Sequence, residues 1–438
     1  MLNEKVSAVM KDNSSVDETR LIQRLIWRIM PLVVICYLAA VIDRSNVGFA
    51  KLQMVGDLKL TEVAYGFGAS LFFIGYVAFE IPSTYAVHWY GARAWFARIM
   101  FTWGLSTILL AFTSSVSMFY VLRFLLGVAE AGFFPGAIFY LTLWFPPKYK
   151  ARALGYLLLG SAFGNMLGSL IGGFLLDLNG TLGLAGWQWI FLVTGIPPII
   201  LTAVVILFLP NTPANADFLS EDEKRWLASE IDKGSVAPVG RGNPLRVLAD
   251  WRVLLFSLVY ILILICQYGV GYWLPTVVKG FGVSGTLNGL VSAIPWGLSG
   301  LALLWVPSRL KQHGLVLTTF SVIALIGSFC FFASAMLFSA NWMRFAAVAI
   351  GSPCILLLFP YFWALPSNYF KGTHAATAIG TISTIGNLGG FAAQNLMPMV
   401  GQATGNPLNS LLVPTACLMV IGIGAALVTL RASPARTT

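Results

Sequence analysis

About twelve apolar runs, each close to the roughly 20 residues needed to cross a bilayer's hydrocarbon core, recur between residues 27 and 431. That recurrence leaves room for little besides a bundle of membrane-spanning helices. A chain dissolved in water carries about a quarter charged residues. Here 10% are charged and 58% are hydrophobic, too few polar side chains to cover a surface facing water. The runs are continuous and helix-length rather than alternating with period two, which argues against a membrane barrel. They read as spans 27–50, 64–87, 95–114, 117–145, 153–176, 187–209, 251–277, 286–306, 315–338, 342–366, 373–400 and 410–431. One long polar break, 210–250, contains a short helical pattern and divides the spans six and six. The expected organisation is an all-α integral membrane protein: an N-terminal segment 1–26, a six-helix bundle 27–209, a linker 210–250, a second six-helix bundle 251–431 and a tail 432–438.

Basic residues set the expected orientation, because cytoplasmic loops carry an excess of lysine and arginine. Arg20, Arg24 and Arg28 precede or open the first span, and Arg93 and Arg98 follow the second. Lys148, Lys150 and Arg152 lie between the fourth and fifth. Lys224, Arg225, Lys233, Arg241 and Arg246 occupy the linker, and Arg309 and Lys311 follow the eighth. Loops on the other side carry little beyond Lys51, Lys59 and Lys279. Both termini and the linker are therefore expected in the cytoplasm, as in a multi-pass protein of the cell inner membrane. The net charge of +10 is accounted for by this topology and does not call for nucleic acid. The polar N-terminal stretch runs straight into a long apolar helix, without the short apolar region and small-residue cleavage site of a secretory signal. Five cysteines without paired spacing suggest neither disulfides nor a metal site, and no cofactor is expected. No Walker-type sequence is present to bind ATP.

The two halves echo one another. "FPPKYKARALG" (145–155) and "FKGTHAATAIG" (370–380) share Phe, Ala and Gly at one spacing, and "GNMLGSLIGG" (164–173) is followed in the second half by "GNLGGFAAQN" (386–395). Such glycine runs allow close helix packing rather than phosphate binding. A duplicated six-span unit places a binding site between the halves near the bilayer midplane, the architecture of a transporter.

Ionisable residues inside spans are costly and are functional candidates by default. Asp43 and Arg44 lie on the first span; Arg123 and Glu130 lie on the fourth. With a helical rise of about 1.5 Å per residue, Asp43 and Arg44 sit about 10 Å below the outer face, Arg123 at a matching depth, and Glu130 about 10 Å deeper. Two structural ion pairs would be a sufficient explanation for stability, yet apolar pairs hold helices as well or better. Arginines stay protonated, and their guanidinium forks grip carboxylates in bidentate fashion, so Arg44 and Arg123 suit an anionic substrate. Asp43 and Glu130 can change charge. A substrate carboxylate that claims the arginines removes their counter-charge and favours proton binding, which by linkage is coupling.

The chain resembles the major facilitator superfamily, and within it the anion:cation symporter family, in "IDRSNVGFA" (42–50), "FFIGYVAFEIPS" (72–83), "RFLLGVAEAGFFPG" (123–136), "FWALPSNYF" (362–370) and "GNLGGF" (386–391). The motifs cover both halves and look like the tartrate, phthalate and 4-hydroxyphenylacetate permease branch. The resemblance implies proton coupling at Asp43 and Glu130 and anion binding at Arg44 and Arg123, and it adds Tyr76 and Asn387 to the lining. Gln267, Tyr268, Tyr272 and Trp363 enter as walls by position in the second half. One departure concerns the loop "HWYGARAWFAR" (88–98), which lacks the acid that many superfamily members use as a cytoplasmic latch. Glu80, near the inner end of the second span, reads as a helix-end acid or an inner-gate residue.

The expected activity is proton-coupled uptake, by a monomeric carrier in the lipid bilayer, of a small organic anion with one or two carboxylates, aromatic or hydroxylated. The competing readings are an organic-anion exchanger or proton-antiport exporter and, from a different class, a transporter-like sensor. A sensor would need an output domain, and an enzyme would need a nucleophile–base or metal constellation.

Overall fold

The computed structural model describes residues 16–232, 250–309, 316–370 and 373–432. Lys233, Arg241, Arg246, Lys311 and His313, with the second part of the expected linker, lie outside the described residues. The described chain is helical almost throughout. In order the helices are α1 (Glu18–Asp57), α2 (Glu62–Tyr90), α3 (Ala92–Leu110), α4 (Val116–Glu130), α5 (Phe133–Trp144), α6 (Pro147–Leu176) and α7 (Gly186–Phe208). They continue with α8 (Glu221–Asp232), α9 (Trp251–Lys279), α10 (Gly285–Arg309), α11 (Val316–Phe332), α12 (Asn341–Tyr369), α13 (Thr373–Gly386), α14 (Leu388–Ala403) and α15 (Leu412–Ala432). Several start on a side-chain cap that satisfies an otherwise orphaned amide. The Asp17 carboxylate accepts from the Arg20 amide at 3.1 Å, Thr61 from Ala64 at 3.0 Å and Ser115 from Met118 at 3.2 Å.

Among the described residues, ten helical segments are long and apolar enough to cross a membrane. Two expected spans fall outside that set for visible reasons. The run 373–400 is helical but broken at Asn387 into α13 and α14, of 14 and 16 residues. The run 95–114 is α3, which carries Arg93 and Arg98 in its first two turns. The expected continuous span 117–145 is also broken. Ala131 is extended and Gly132 adopts φ +83°, a left-handed conformation that favours glycine, so α4 stops at Glu130 and α5 begins afresh. At the other extreme α1 is 40 residues long, running well past the expected 27–50 at both ends.

Large apolar side chains face outward in stripes at helical spacing. Phe101, Leu105 and Leu109 on α3, Ile196 and Ile200 on α7, and Leu301 and Trp305 on α10 are exposed. A soluble protein rarely presents so much contiguous apolar surface, whereas lipid is a suitable solvent for it. Inside, helices before the linker pack on one another, with α3 on α7, α1 on α6 and α2 on α4. Helices after it do the same, with α9 on α13, α14 and α15, and α11 on α12 and α15. The two sets meet mainly through three helix pairs, α6 with α10, α2 with α14, and α1 with α9, with a lesser contact between α2 and α13. Glycine makes these approaches possible. A Cβ on Gly173 of α6 would collide with the backbone of Gly285 and Gly289 on α10. On the α14 side, Gly389 and Gly390 sit against α9 backbone and the Phe73 ring.

The polar helix α8 docks beneath the first set of helices at the face where α1 begins. Its Leu227 is fully buried, Arg24 pairs with Glu223 at 3.1 Å, and Phe218 stacks on Trp144. On the same face the Glu18 carboxylate accepts from the Tyr149 hydroxyl at 2.8 Å and pairs with Lys148 at 3.3 Å. The acid-free loop between α2 and α3 is tied down differently: Arg93 donates through Nε to the Leu209 carbonyl at 2.6 Å, and its amide donates to Asn211 Oδ1 at 2.9 Å.

Candidate functional site

A cavity of about 50 Å³ lies where α1, α2, α4, α6, α9 and α14 converge, across the boundary between the two sets of helices. Arg44 and Arg123 reach it from the first set, with Tyr37, Ser45, Phe72, Phe73, Ser161 and Asn165. The second set contributes Gln267, Tyr268, Tyr272 and Gln394.

The two arginines are held in contrasting ways. Arg44 is saturated. Its Nε donates to Glu130 Oε1 at 2.6 Å, its Nη1 donates to the Tyr268 hydroxyl at 3.2 Å, and the guanidinium lies 4.9 Å from the Tyr76 ring centroid. Arg123 is 2% exposed and forms no ion pair among the described residues. Its Nη2 donates to the Ala69 carbonyl at 2.9 Å, while its Nε is buried without a hydrogen-bond partner. A buried guanidinium with an unsatisfied donor is expensive. Asp43 and Glu130 lie within electrostatic reach of it without bonding to it, and it leaves a donor to satisfy.

Glu130 is fully buried at the last residue of α4. The helix break behind it at Ala131–Gly132 ends α4 there and leaves the carboxylate pointing at α1. One oxygen takes the Arg44 bond; the other, Oε2, is buried with no hydrogen-bond partner. The second acid behaves differently from expectation. Asp43 is fully buried, but it neither pairs with Arg44 nor lines the cavity. Successive residues on a helix point about 100° apart, so when Arg44 faces the cavity its neighbour faces the bundle. Asp43 Oδ1 accepts from Asn46 Nδ2 at 3.0 Å and Thr107 Oγ1 at 2.9 Å, and Asn46 also donates to Thr194 at 3.1 Å. Asp43 thus joins α1 to α3 and α7. Asp43→Leu would leave two buried donors without an acceptor, a loss of about 1–3 kcal/mol, whereas Asp43→Asn retains an acceptor oxygen. Melting of the detergent-purified variants is expected to separate them in that order.

Of the remaining expected residues, Gln267, Tyr268 and Tyr272 line the cavity. Tyr76 does not line it but forms the floor under Arg44. Asn387, at the break between α13 and α14, donates to the Ser383 carbonyl at 3.2 Å and toward Glu80 at 3.5 Å. Glu80 is buried and points across to the second set rather than into a loop on its own side. Trp363 is packed edge-on against Tyr260 at 4.9 Å and Phe362 at 5.1 Å, away from the cavity lining. Sequence reasoning missed Asn165, Ser161 and Gln394. They are neutral polar residues inside apolar runs, and Ser161 and Asn165 stand one helical turn apart. A search for lone amides as well as lone charges would have found them. Among the described residues no group of three His, Cys, Asp or Glu side chains is placed to hold a metal ion.

A cavity with two fixed cations, one of them bonded to the buried Glu130 behind the lining, lies between two sets of packed helices and fits a carrier, and comparison with known proteins identifies the lineage. The model of the Major Facilitator Superfamily matches residues 33–394. The chain belongs to this superfamily. It is therefore a multi-pass membrane transporter rather than an enzyme, working by alternating access. A quinolone resistance transporter of Acinetobacter baumannii is 38% identical over 392 residues, covering 89% of this chain and 90% of that protein. A putative tartrate transporter of Agrobacterium vitis is 37% identical, covering 93% and 94%. A putative metabolite transport protein, NicT, of Pseudomonas putida is 38% identical, covering 91% and 92%. Among solved structures, a bacterial homologue of the lysosomal transporter Spinster superposes with a TM-score of 0.72 at 17% identity, covering 92% of this chain and 95% of that one. A D-xylose–proton symporter superposes at 0.70 and 16% identity, covering 91% and 97%. At such identities the superpositions speak for the shared fold.

Proposed function

We propose that this superfamily member is a proton-coupled importer of a small organic anion bearing one or two carboxylates, in the branch of the anion:cation symporters. In this reading α4 with α5, and α13 with α14, are each one interrupted span, and α3 is a full one, its lipid-type stripe of Phe101, Leu105 and Leu109 facing outward. The chain then has twelve spans in two six-helix bundles, 27–209 and 251–431, with both termini and the basic linker on the cytoplasmic side of the inner membrane, and it acts as a monomer.

The observation that carries the reading is the asymmetry of the arginines. Arg123 has a free donor and, among the described residues, no direct ion pair, and Arg44 is occupied by Glu130. A carboxylate entering the cavity meets Arg123 first, and a bidentate grip there satisfies its open donors. Drawing Arg44 onto the same anion breaks the Arg44–Glu130 bond. Glu130 is then a buried carboxylate without its cation, a state that proton binding relieves. Loss of the anion to the cytoplasm lets Arg44 return to Glu130 and expels the proton. Phe72, Phe73, Tyr268 and Tyr272 supply flat apolar walls suited to an aromatic ring, and Gln267, Gln394, Ser161 and Asn165 supply donors and acceptors for hydroxyl or ring heteroatom groups. The relative described as a putative tartrate transporter accords with carboxylate cargo.

A second reading, proton-antiport export, is favoured by the quinolone resistance relative. The sign of proton movement separates the two. Carboxylates presented to proteoliposomes holding the purified carrier are expected to draw protons in the same direction as the anion. Proton movement opposite to the anion would favour the exporter and overturn the symport.

A further inference from the structure

On the face opposite the start of α1, three polar contacts bridge the two sets of helices. Lys51 of α1 reaches α9, donating to Thr276 Oγ1 at 3.2 Å with its ammonium 3.5 Å from the Trp273 ring centroid and 5.1 Å from that of Tyr272. Lys279 of α9 donates back to the Leu52 carbonyl at 2.6 Å. Asp177, at the end of α6, accepts from the first amides of α10, Gly285 at 2.9 Å and Thr286 at 2.7 Å.

Lys51 stands out among them because it is 2% exposed. It lies seven residues, two helical turns, beyond Arg44 on the same face of α1, about 10 Å nearer the membrane surface. Tyr272, whose ring Lys51 approaches, is also one of the residues lining the binding cavity, so the lysine lies next to that cavity's wall on this face. Its counter-ion, Glu62 on α2 at 2.6 Å, belongs to its own set of helices and is half-exposed. Its aromatic partners belong to the other set, and Trp273 is fixed from behind by donating to the Pro407 carbonyl at 3.0 Å.

This division of partners suits a contact that must break and re-form. An ion pair across the boundary would strand a charge on each side when parted. A cation held on neutral aromatic faces strands none, because Lys51 leaves with Glu62 while Trp273 and Thr276 are uncharged. A lysine needed only to join α1 to α2 would be served by Glu62 alone. We propose that Lys51 is the bolt of the gate on this face, seated on Trp273 and Tyr272 while the gate is shut and withdrawn as the halves part. The inference rests on alternating access and not on the identity of the anion or on its coupling to protons.

Labelling of a reporter cysteine, Ser45→Cys in the cavity wall, tests it without substrate or gradient. A membrane-impermeant maleimide is applied to the Lys51 face of sealed vesicles, and labelling is counted above that of the chain without the reporter. Loss of a desolvated cation–aromatic contact is expected to speed labelling on the order of tenfold in both Lys51→Ala and Trp273→Leu. Glu62→Asp, which keeps a carboxylate for the buried ammonium and leaves the crossing contact in place, is expected to change it less than about twofold. Should Lys51→Ala fail to insert, Trp273→Leu examines the same contact from the other side. Unchanged labelling in Trp273→Leu, or acceleration by Glu62→Asp equal to that by Lys51→Ala, would overturn the assignment. Failure of the proton-uptake experiment would leave it standing.

Discussion

Glu130→Gln is expected to lose accumulation of the anion against its gradient, by at least about tenfold, while counterflow of labelled for unlabelled anion stays within about threefold of the parent. The two effects part because an amide reproduces half of what the carboxylate does. Its carbonyl oxygen can still accept from Arg44 Nε, where the present bond is 2.6 Å long, so the local geometry of α1 against α4 survives. It cannot take and give up a proton, and it offers Arg44 no charge to return to. Exchange needs the carrier to reorient with anion bound at each end and no net proton movement. Uphill transport needs the empty carrier to return without its proton, which a permanently neutral side chain does not govern. Uptake driven by an imposed pH difference, measured beside counterflow in the same proteoliposomes, tells them apart. Normal concentration by the variant would move the proton site elsewhere. Asp43 would be the successor: its Oδ2, like Oε2 of Glu130, is buried without a hydrogen-bond partner, but its other oxygen is held by Asn46 and Thr107 rather than by an arginine of the cavity wall.

The contrast between these two acids marks where sequence reasoning reached its limit. A charge inside an apolar run is visible because lipid makes it expensive, and so Asp43, Arg44, Arg123 and Glu130 all stood out. Which way each points depends on helix rotation. Asp43 and Arg44 are neighbours in sequence yet face different partners, and depth alone assigned them to one set. The helix packing was legible through glycine. "GNMLGSLIGG" brings α6 against α1 and α10, and "GNLGGFAAQN" brings α14 against α9 and α2, so the weak echo between halves corresponds to one packing role used twice. The interruptions at Ala131–Gly132 and at Asn387 were not legible, since each lies in an apolar run without proline at the break. Asn387 and Trp363 show the cost of carrying a position without its neighbours. The asparagine's side-chain donor is turned toward Glu80 and its own helix, and the tryptophan is spent in an aromatic cluster with Tyr260 and Phe362. Lys51 entered the sequence reading only as an exception to the charge bias of loops, because nothing local reveals that a residue two hundred positions away supplies its cage.

Replacement of Arg123 should be the most damaging change to binding, and the choice of replacement makes the result informative. Arg123→Gln removes the one guanidinium in the cavity that lacks a counter-ion, and affinity for the best carboxylate of a panel is expected to fall at least about 100-fold, as befits loss of a buried charge-assisted pair of about 3 kcal/mol. Arg123→Lys keeps the charge but not the fork. The native side chain spends Nη2 on the Ala69 carbonyl and still has Nε and the rest of its planar edge to offer. A lysine ammonium is a single point that must serve either the carbonyl or the anion, so an intermediate loss of about tenfold is expected. Arg44→Lys should differ in kind. Arg44 is already engaged by Glu130 and Tyr268, and its replacement alters the coupling of anion to proton along with affinity. Isothermal titration of the purified variants gives the affinities. Their melting temperatures without ligand show whether the Ala69 contact was needed for folding, and a Gln variant that melts like the parent but binds nothing isolates the electrostatic role. A variant lacking Arg123 that still binds carboxylates as tightly as the parent would mean that the free guanidinium balances the buried acids around it and that the anion is gripped by other groups.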